Sequence, residues 1–337
     1  MFESNHLNLN PEPVIPVELI RNVSLTLLSP HLDDDIDVVS RVRTSITFSD
    51  SHLTPLSPVF VWASVDLPTT SPLNYLLVCR NCCSWILPLL YHSVKFTKAD
   101  QLSKFLSSHD IPNDHMQTRF RLIQDMYIGP TPSCPGRLQY PPTDWPVTVI
   151  SRILWLSTSL RNLTILKLDE FKWHNLEHVI PSSLQNLTLG PVHGTICLQN
   201  LEQRPRLVQF TSVLTYMRDD EVRDMVCYPS LRKLRRILEA MNMGPQWAVA
   251  QVACISKART LEGMEIVICG NPGFAARARV LARKRLDKLP HDERVVVRED
   301  ECGRGWLGIV FDDYEECRVE FVGELTLGLY LILLTVF

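Results

Sequence analysis

The feature that most limits the fold is a short apolar pattern that returns along the chain. The spacing apolar-x-x-apolar-x-apolar occurs at Ile123/Met126/Ile128, Leu163/Leu166/Leu168, Leu184/Leu187/Leu189 and Leu261/Met264/Ile266. Partial copies stand at Leu207/Phe210 and Leu231/Leu234. Successive starts lie 40, 21, 23, 24 and 30 residues apart, and three of these intervals match the roughly 20–29 residues of a one-strand repeating unit. Alternate side chains of a strand share one face, so each copy predicts a short strand with a buried side. No single unit can bury that face alone, whereas a stack of them makes one continuous core. Between the strands, Val149–Ser159 and Asp169–Ile180 are helix-compatible, the latter closed by Pro181. An α/β chain follows.

Composition narrows the function classes. The chain has 337 residues, of which 45% are hydrophobic, enough for buried cores and too apolar for disorder. Lys plus Arg number 34 against 37 Asp plus Glu, so no global charge favours nucleic acid or an anionic membrane. With 13 Gly and 23 Pro, glycine-rich phosphate cradles are disfavoured and short punctuated elements favoured. Met1 to His6 lack the basic start and apolar run of a secretory signal. The expected location is therefore cytoplasmic or nuclear, and the ten Cys are expected to be free thiols. Sequons at Asn22, Asn162 and Asn186 are then expected to stay unglycosylated, the last two lying inside the repeat. Leu325 to Phe337 carries no charge over thirteen residues, short of the ~20 that span a bilayer. It reads as a buried strand or helix, a tail foreign to the fold, or a tail anchor without basic flanks.

Residues 1–66 form a poorly specified N-terminal segment, kept extended at Pro11, Pro13 and Pro16. Asp33-Asp34-Asp35 with Asp37 reads as a solvated acidic turn, since the Gly and bidentate Glu of a calcium loop are missing. Ser71-Pro72 is a good helix start, continued by Leu73, Leu76 and Leu77 at helical spacing. His92 to Phe96 alternates like a strand, and Thr97 is placed to cap a helix carrying Leu102, Phe105 and Leu106 on one face.

Leu73 to Phe96 reads LNYLLVCRNCCSWILPLLYHSVKF. Val78-Cys79-Arg80, Trp85, Pro88, Leu90-Tyr91 and Val94 resemble the second half of an F-box. Ile15-Pro16-Val17-Glu18-Leu19-Ile20 is similar to its opening, but 62 residues separate Pro16 from Val78, wider than the family's spacing. Leu56-Ser57-Pro58 stands closer and lacks the Glu-Leu-Leu helix. Either an insertion interrupts the box or its first half has degenerated. The apolar repeats resemble leucine-rich repeats without their Asn/Cys position, where only Cys269 fits and Phe171 and Val192 stand instead. Ala275–Leu289, Asp292 to Val297 and Trp306 are similar to the closing part of the F-box-like proteins of mushroom-type fungi. The resemblance implies an α/β fold in which a short N-terminal helical F-box-like segment precedes an irregular leucine-rich-repeat solenoid. Its divisions would be 1–66, box helices at 67–97, repeats at 98–306 and an apolar tail at 307–337. It also implies a non-enzymatic substrate receptor of a cullin-type ubiquitin ligase. There Ile15, Pro16, Leu19, Leu76, Val78 and Trp85 would pack on a Skp-type adaptor, and the repeats would bind a protein target.

Four constellations invite chemistry, and each has a plainer reading. His174-Asn175-Leu176-Glu177-His178 fits an inverted zinc-protease signature, with His174 and His178 on one helix face and Glu177 as base. Without a third ligand it also reads as surface histidines, and a zinc hydrolase stays the second alternative, behind a repeat scaffold with no ligase link. Gly303-Arg304-Gly305-Trp306-Leu307-Gly308, with Glu324 beyond, fits a dinucleotide fingerprint. Glu299-Asp300-Glu301 places negative charge against a pyrophosphate there. Cys79, Cys82 and Cys83 lack a second ligand pair and read as packed thiols. Arg277, Arg279, Arg283, Lys284, Arg285 and Lys288 make one helix basic; it is a solvated face or an acidic-partner contact. No catalytic residue, cofactor, metal, nucleic acid or membrane is expected.

Overall fold

The computed structural model describes residue 88 and residues 90–109, 115–132, 143–201 and 203–317, all within the unit Leu87–Phe337. Eight strands form one sheet in chain order, β1-β2-β3-β4-β5-β6-β7-β8, and every pair is parallel. They are β1 Ser93–Phe96, β2 Asp125–Ile128, β3 Asn162–Leu166, β4 Asn186–Gly190, β5 Gln209–Val213, β6 Lys233–Glu239, β7 Gly263–Cys269 and β8 Val295–Glu299. Parallel neighbours need a crossover. Helices supply most of them: α1 Ala99–His109, α2 His115–Phe120, α3 Val147–Leu156, α4 His174–Glu177, α5 Asp219–Val226, α6 Gly244–Ala250 and α7 Pro272–Leu286. Residues 305–317 form a further helix, α8. The α/β expectation holds, as one parallel sheet.

One backbone device repeats at the strand starts. The carbonyl just before or at the head of a strand accepts two N–H groups from the next unit: Gln124 from Arg161 and Asn162, Arg161 from Gln185 and Asn186, Gln185 from Val208 and Gln209. Val208 accepts from Arg232 and Lys233, and Arg232 from Glu262 and Gly263, in the same way. The chain thus advances by one step per unit although its side chains vary.

The helix-side core holds the inward row. Met126, Leu163, Leu187, Phe210, Leu234, Met264 and Val295 are paired across the sheet. Ile128, Ile165 and Leu189 follow two residues on, buried with Ile266 and Val297. Leading positions Ile123, Leu184, Leu207 and Leu231 are fully buried. One unit is shifted from the sequence expectation. Leu163 pairs with Leu187 and Ile165 with Leu189, so its triplet is Leu160/Leu163/Ile165, and Leu166 belongs to the opposite face. With Leu160 as the start, three successive intervals become 24, 23 and 24 residues.

Local expectations fare unevenly. The strand at 92–96 is β1, and α1 buries Leu102 with Phe105 and Leu106 against the core. Its start is held by Gln101, whose Oε1 accepts from the backbone N–H groups of Thr97 and Lys98, the return half of a capping box. Thr97 is not the cap. The 169–180 stretch is broken into a 3-10 turn, Glu170–Lys172, and the single turn α4. Asp169 accepts from the Phe171 N–H at 2.9 Å, a local bond that competes with a continuous helix.

Candidate interaction site

The second face of the sheet begins with polar side chains at the strand heads. Asp125, Asn162 and Asn186 stand side by side in register. Asn186 Nδ2 donates to Asn162 Oδ1 at 2.6 Å, and Asn162 Nδ2 donates to Asp125 Oδ1 at 2.5 Å. Burial raises the Asp125 carboxyl above its ordinary value, opposed by the bond from Asn162. Thus the two sequon asparagines spend their amides on a ladder. Thr164, Thr188 and Thr211 form the next row, and the first two are half-buried.

Further along the strands this face is apolar, and α8 covers it. Leu166, Val213, Ile237, Val267 and Cys269 pack against Trp306, Ile309, Val310 and Tyr314, all buried. Gly190 lets the backbones close up within this row, since a Cβ there would lie 2.4 Å from the Val213 carbonyl oxygen. Ser93 on β1 hydrogen-bonds Tyr314 at 2.7 Å, and the Tyr127 ring on β2 meets Phe311 and Tyr314 at 5.6 and 5.0 Å. On the other side Arg235 of β6 donates to Asp313. Five strand steps separate β1 from β6, about 24 Å in a flat sheet, whereas a helix with side chains is roughly 10–12 Å wide. For one helical turn to touch both, the sheet must curl around α8.

The rim at the strand ends carries a run of exposed large side chains. Phe171 follows β3, Val192 β4 and Tyr216 β5; Met241, Met243 and Trp247 follow β6, and Phe274 follows β7. Neighbouring rim segments touch. A Cβ on Gly194 would meet the Glu170 carbonyl oxygen at 2.2 Å, the His193 N–H donates to Thr215 Oγ1 at 3.1 Å, and the Tyr216 ring stands edge-on to Trp247 at 5.2 Å. Comparison with family models, curated proteins and solved structures finds no match to this chain. With the β3 register set by Leu163 and Ile165, the position that matches Val192 of the β4 unit is the buried Leu168 and not Phe171, and both Phe171 and Val192 face solvent on this rim.

Behind the rim lies a buried polar cluster that explains the partial repeats. The third inward position holds Ser212 in β5 and Arg236 in β6, each 1% exposed. His193 Nδ1 hydrogen-bonds the Gly194 carbonyl at 2.8 Å and Nε2 hydrogen-bonds Ser212 Oγ at 2.8 Å. A carbonyl can only accept, so Nδ1 carries the proton and Ser212 donates to Nε2. Burial, helped by Arg236, drops the imidazole to about 4. Arg236 donates to Gln251 and to the Thr215 carbonyl, and burial lowers it to about 10. Gln251 in turn donates to the Met217 carbonyl at 2.6 Å and to Asp219 at 2.9 Å.

The remaining sequence candidates are placed as follows. Ile15, Pro16, Leu19, Leu76, Val78 and Trp85 lie outside the described residues, as do Cys79, Cys82, Cys83, Glu324 and Leu325–Phe337. His174 and His178 are exposed and Glu177 is half-buried, on and just after the four-residue α4. Burial raises the Glu177 carboxyl. Among the described residues no group of three or more His, Cys, Asp or Glu is placed to hold a metal ion, and no helix is long and apolar enough to cross a membrane. None of Cys197, Cys227, Cys254, Cys269, Cys302 and Cys317 is in a disulfide. At the 303–308 glycines, the Asp300 carboxylate accepts the Gly305 N–H at 3.0 Å, occupying the helix start where a phosphate would sit.

Proposed function

We propose that the chain is a leucine-rich-repeat interaction protein, with the F-box-like segment before it serving as an adaptor handle for a cullin-type ubiquitin ligase. The observation that carries the repeat reading is the stacking of parallel strands in chain order, with matching apolar triplets in register from β2 to β4. Such an array offers a long, rigid surface to a partner. The rim of exposed aromatic and methionine side chains supplies the residue types on which binding energy concentrates, and α8 leaves the rim open while filling the apolar part of the second face. The adaptor contact would be apolar helix on helix, through Leu76, Val78 and Trp85 with Ile15, Pro16 and Leu19.

A pull-down of the purified full-length chain with a Skp-type adaptor tests this reading. Recovery of the adaptor, lost on deleting residues 1–86, is the expected result. A folded chain that fails to recover it removes the ligase link and leaves the repeat scaffold as the function.

A further inference from the structure

Helix α7 turns the wrong side chains outward. Over its fifteen residues, Pro272–Leu286, the fully buried side chains are Ala275 and Ala282. Phe274, Val280 and Leu281 are 45%, 50% and 51% exposed, although a helix lying on a core ordinarily points its bulky apolar residues into it. Positions 274, 277, 281, 284 and 288 advance by three and four residues and so share one stripe; they are Phe274, Arg277, Leu281, Lys284 and Lys288, the last just beyond the helix end. Arg279, turned toward β8, pairs with Glu299 at 2.6 Å. Among the described residues, Arg277, Lys284 and Lys288 on the stripe, with Arg283 and Arg285 beside it, have no carboxylate partner. Helix α6 packs against α7, bringing the half-exposed Trp247 and its neighbour Tyr216 to the same region.

We propose that this face of α7, flanked by Trp247, docks an acidic segment of a partner protein that also carries bulky apolar side chains. The proposal rests on the reading of the chain as an interaction protein and names the chemistry of its target. Cations and apolar groups interleave along one stripe, so each carboxylate of such a segment finds a cation within a turn of an apolar contact. Charge complementarity of this kind steers the encounter and fixes register. A nucleic acid would want rings interleaved with the cations to stack its bases, whereas the apolar residue between Arg277 and Lys284 on the stripe is Leu281. A bilayer would want a broad apolar face with cations at its borders, and here the cations stand within it.

The test uses the full-length protein and a fluorescein-labelled synthetic peptide of alternating Glu and Leu, about 14 residues long to match α7, read by anisotropy. Saturable binding that weakens with added salt is expected. Arg277→Glu with Lys284→Glu and Lys288→Glu should weaken it by about tenfold or more. Phe274→Ser with Leu281→Ser should weaken it by about fivefold or more. These positions are exposed, so circular dichroism and melting should match the parent. Absence of binding, binding by either variant as tight as the parent's, or binding of a Glu-Ser peptide as tight as that of the Glu-Leu peptide would overturn the proposal. So would tighter, variant-sensitive binding of a single-stranded oligonucleotide or of phosphatidylserine vesicles. Adaptor recovery by the same variants separates the two readings: peptide binding lost with the adaptor still recovered matches a target face distinct from the adaptor handle, and peptide binding with no adaptor recovered removes only the ligase link.

Discussion

At the residue scale, the most informative positions are those where the apolar pattern fails. Ser212 and Arg236 stand where other units have leucine, isoleucine or valine, and each hydrogen-bonds a residue from a loop or a neighbouring unit. The sequence displays the gap at once but not the partners, because His193, Thr215 and Gln251 meet only after the strands stack. His193 also makes the fold acid-sensitive. Its folded value of about 4 lies below the ordinary 6.5, so the unfolded chain takes the proton first. Stability is complete above about pH 6.5 and is lost as pH falls from there toward about 4. His92, lowered to about 4 by burial, acts in the same direction. For His193 alone the expected loss between pH 7 and pH 4.5 is about 2 kcal/mol. Urea titrations of the parent and His193→Gln at both pH values check it, the variant showing the shallower dependence; equal slopes would refute the assignment.

At the element scale, the strands were legible and their register only partly so. Leu160-x-x-Leu163-x-Ile165 and Leu163-x-x-Leu166-x-Leu168 both satisfy the pattern; only pairing with Leu187 and Leu189 decides between them. A second signal was present, since Pro181, Pro205 and Pro229 recur at intervals of 24 residues just before the leading leucines. The serines that follow two of them close the turns, Ser183 donating to the Leu160 carbonyl and Ser230 to that of Leu207. The rim was less visible. Lys167 and Leu214 leave their strands at φ 58 and 47, a left-handed conformation that non-glycine sequence does not announce. Helix α8 was missed because its partners are single residues from strands far apart in the chain. Ile309→Ala, on its buried side, should cost about 2–5 kcal/mol. Phe171→Ser, on the rim, should stay within about 0.5 kcal/mol. Denaturant midpoints of the two variants measure the contrast, and equal midpoints would mean that α8 is not part of the core.

At the scale of the whole molecule, an array of stacked units couples only neighbours and can unfold piecemeal. Here one helix holds β1 through Ser93, β2 through Tyr127 and β6 through Arg235. Unfolding reported by single dyes near β1 and near β7 should therefore coincide. Removing residues 305–337 should separate the two transitions, and coincident melting of the shortened chain would show that α8 carries no such coupling. The same arrangement has a cost during synthesis. Tyr314 follows Leu166 by 148 residues, on the order of 10 s of translation. Until the helix leaves the ribosome, an oily strip from Leu166 to Val267 faces water. The nascent chain is thus a client for chaperones over that interval, and a ribosome stalled before α8 would display a sticky intermediate.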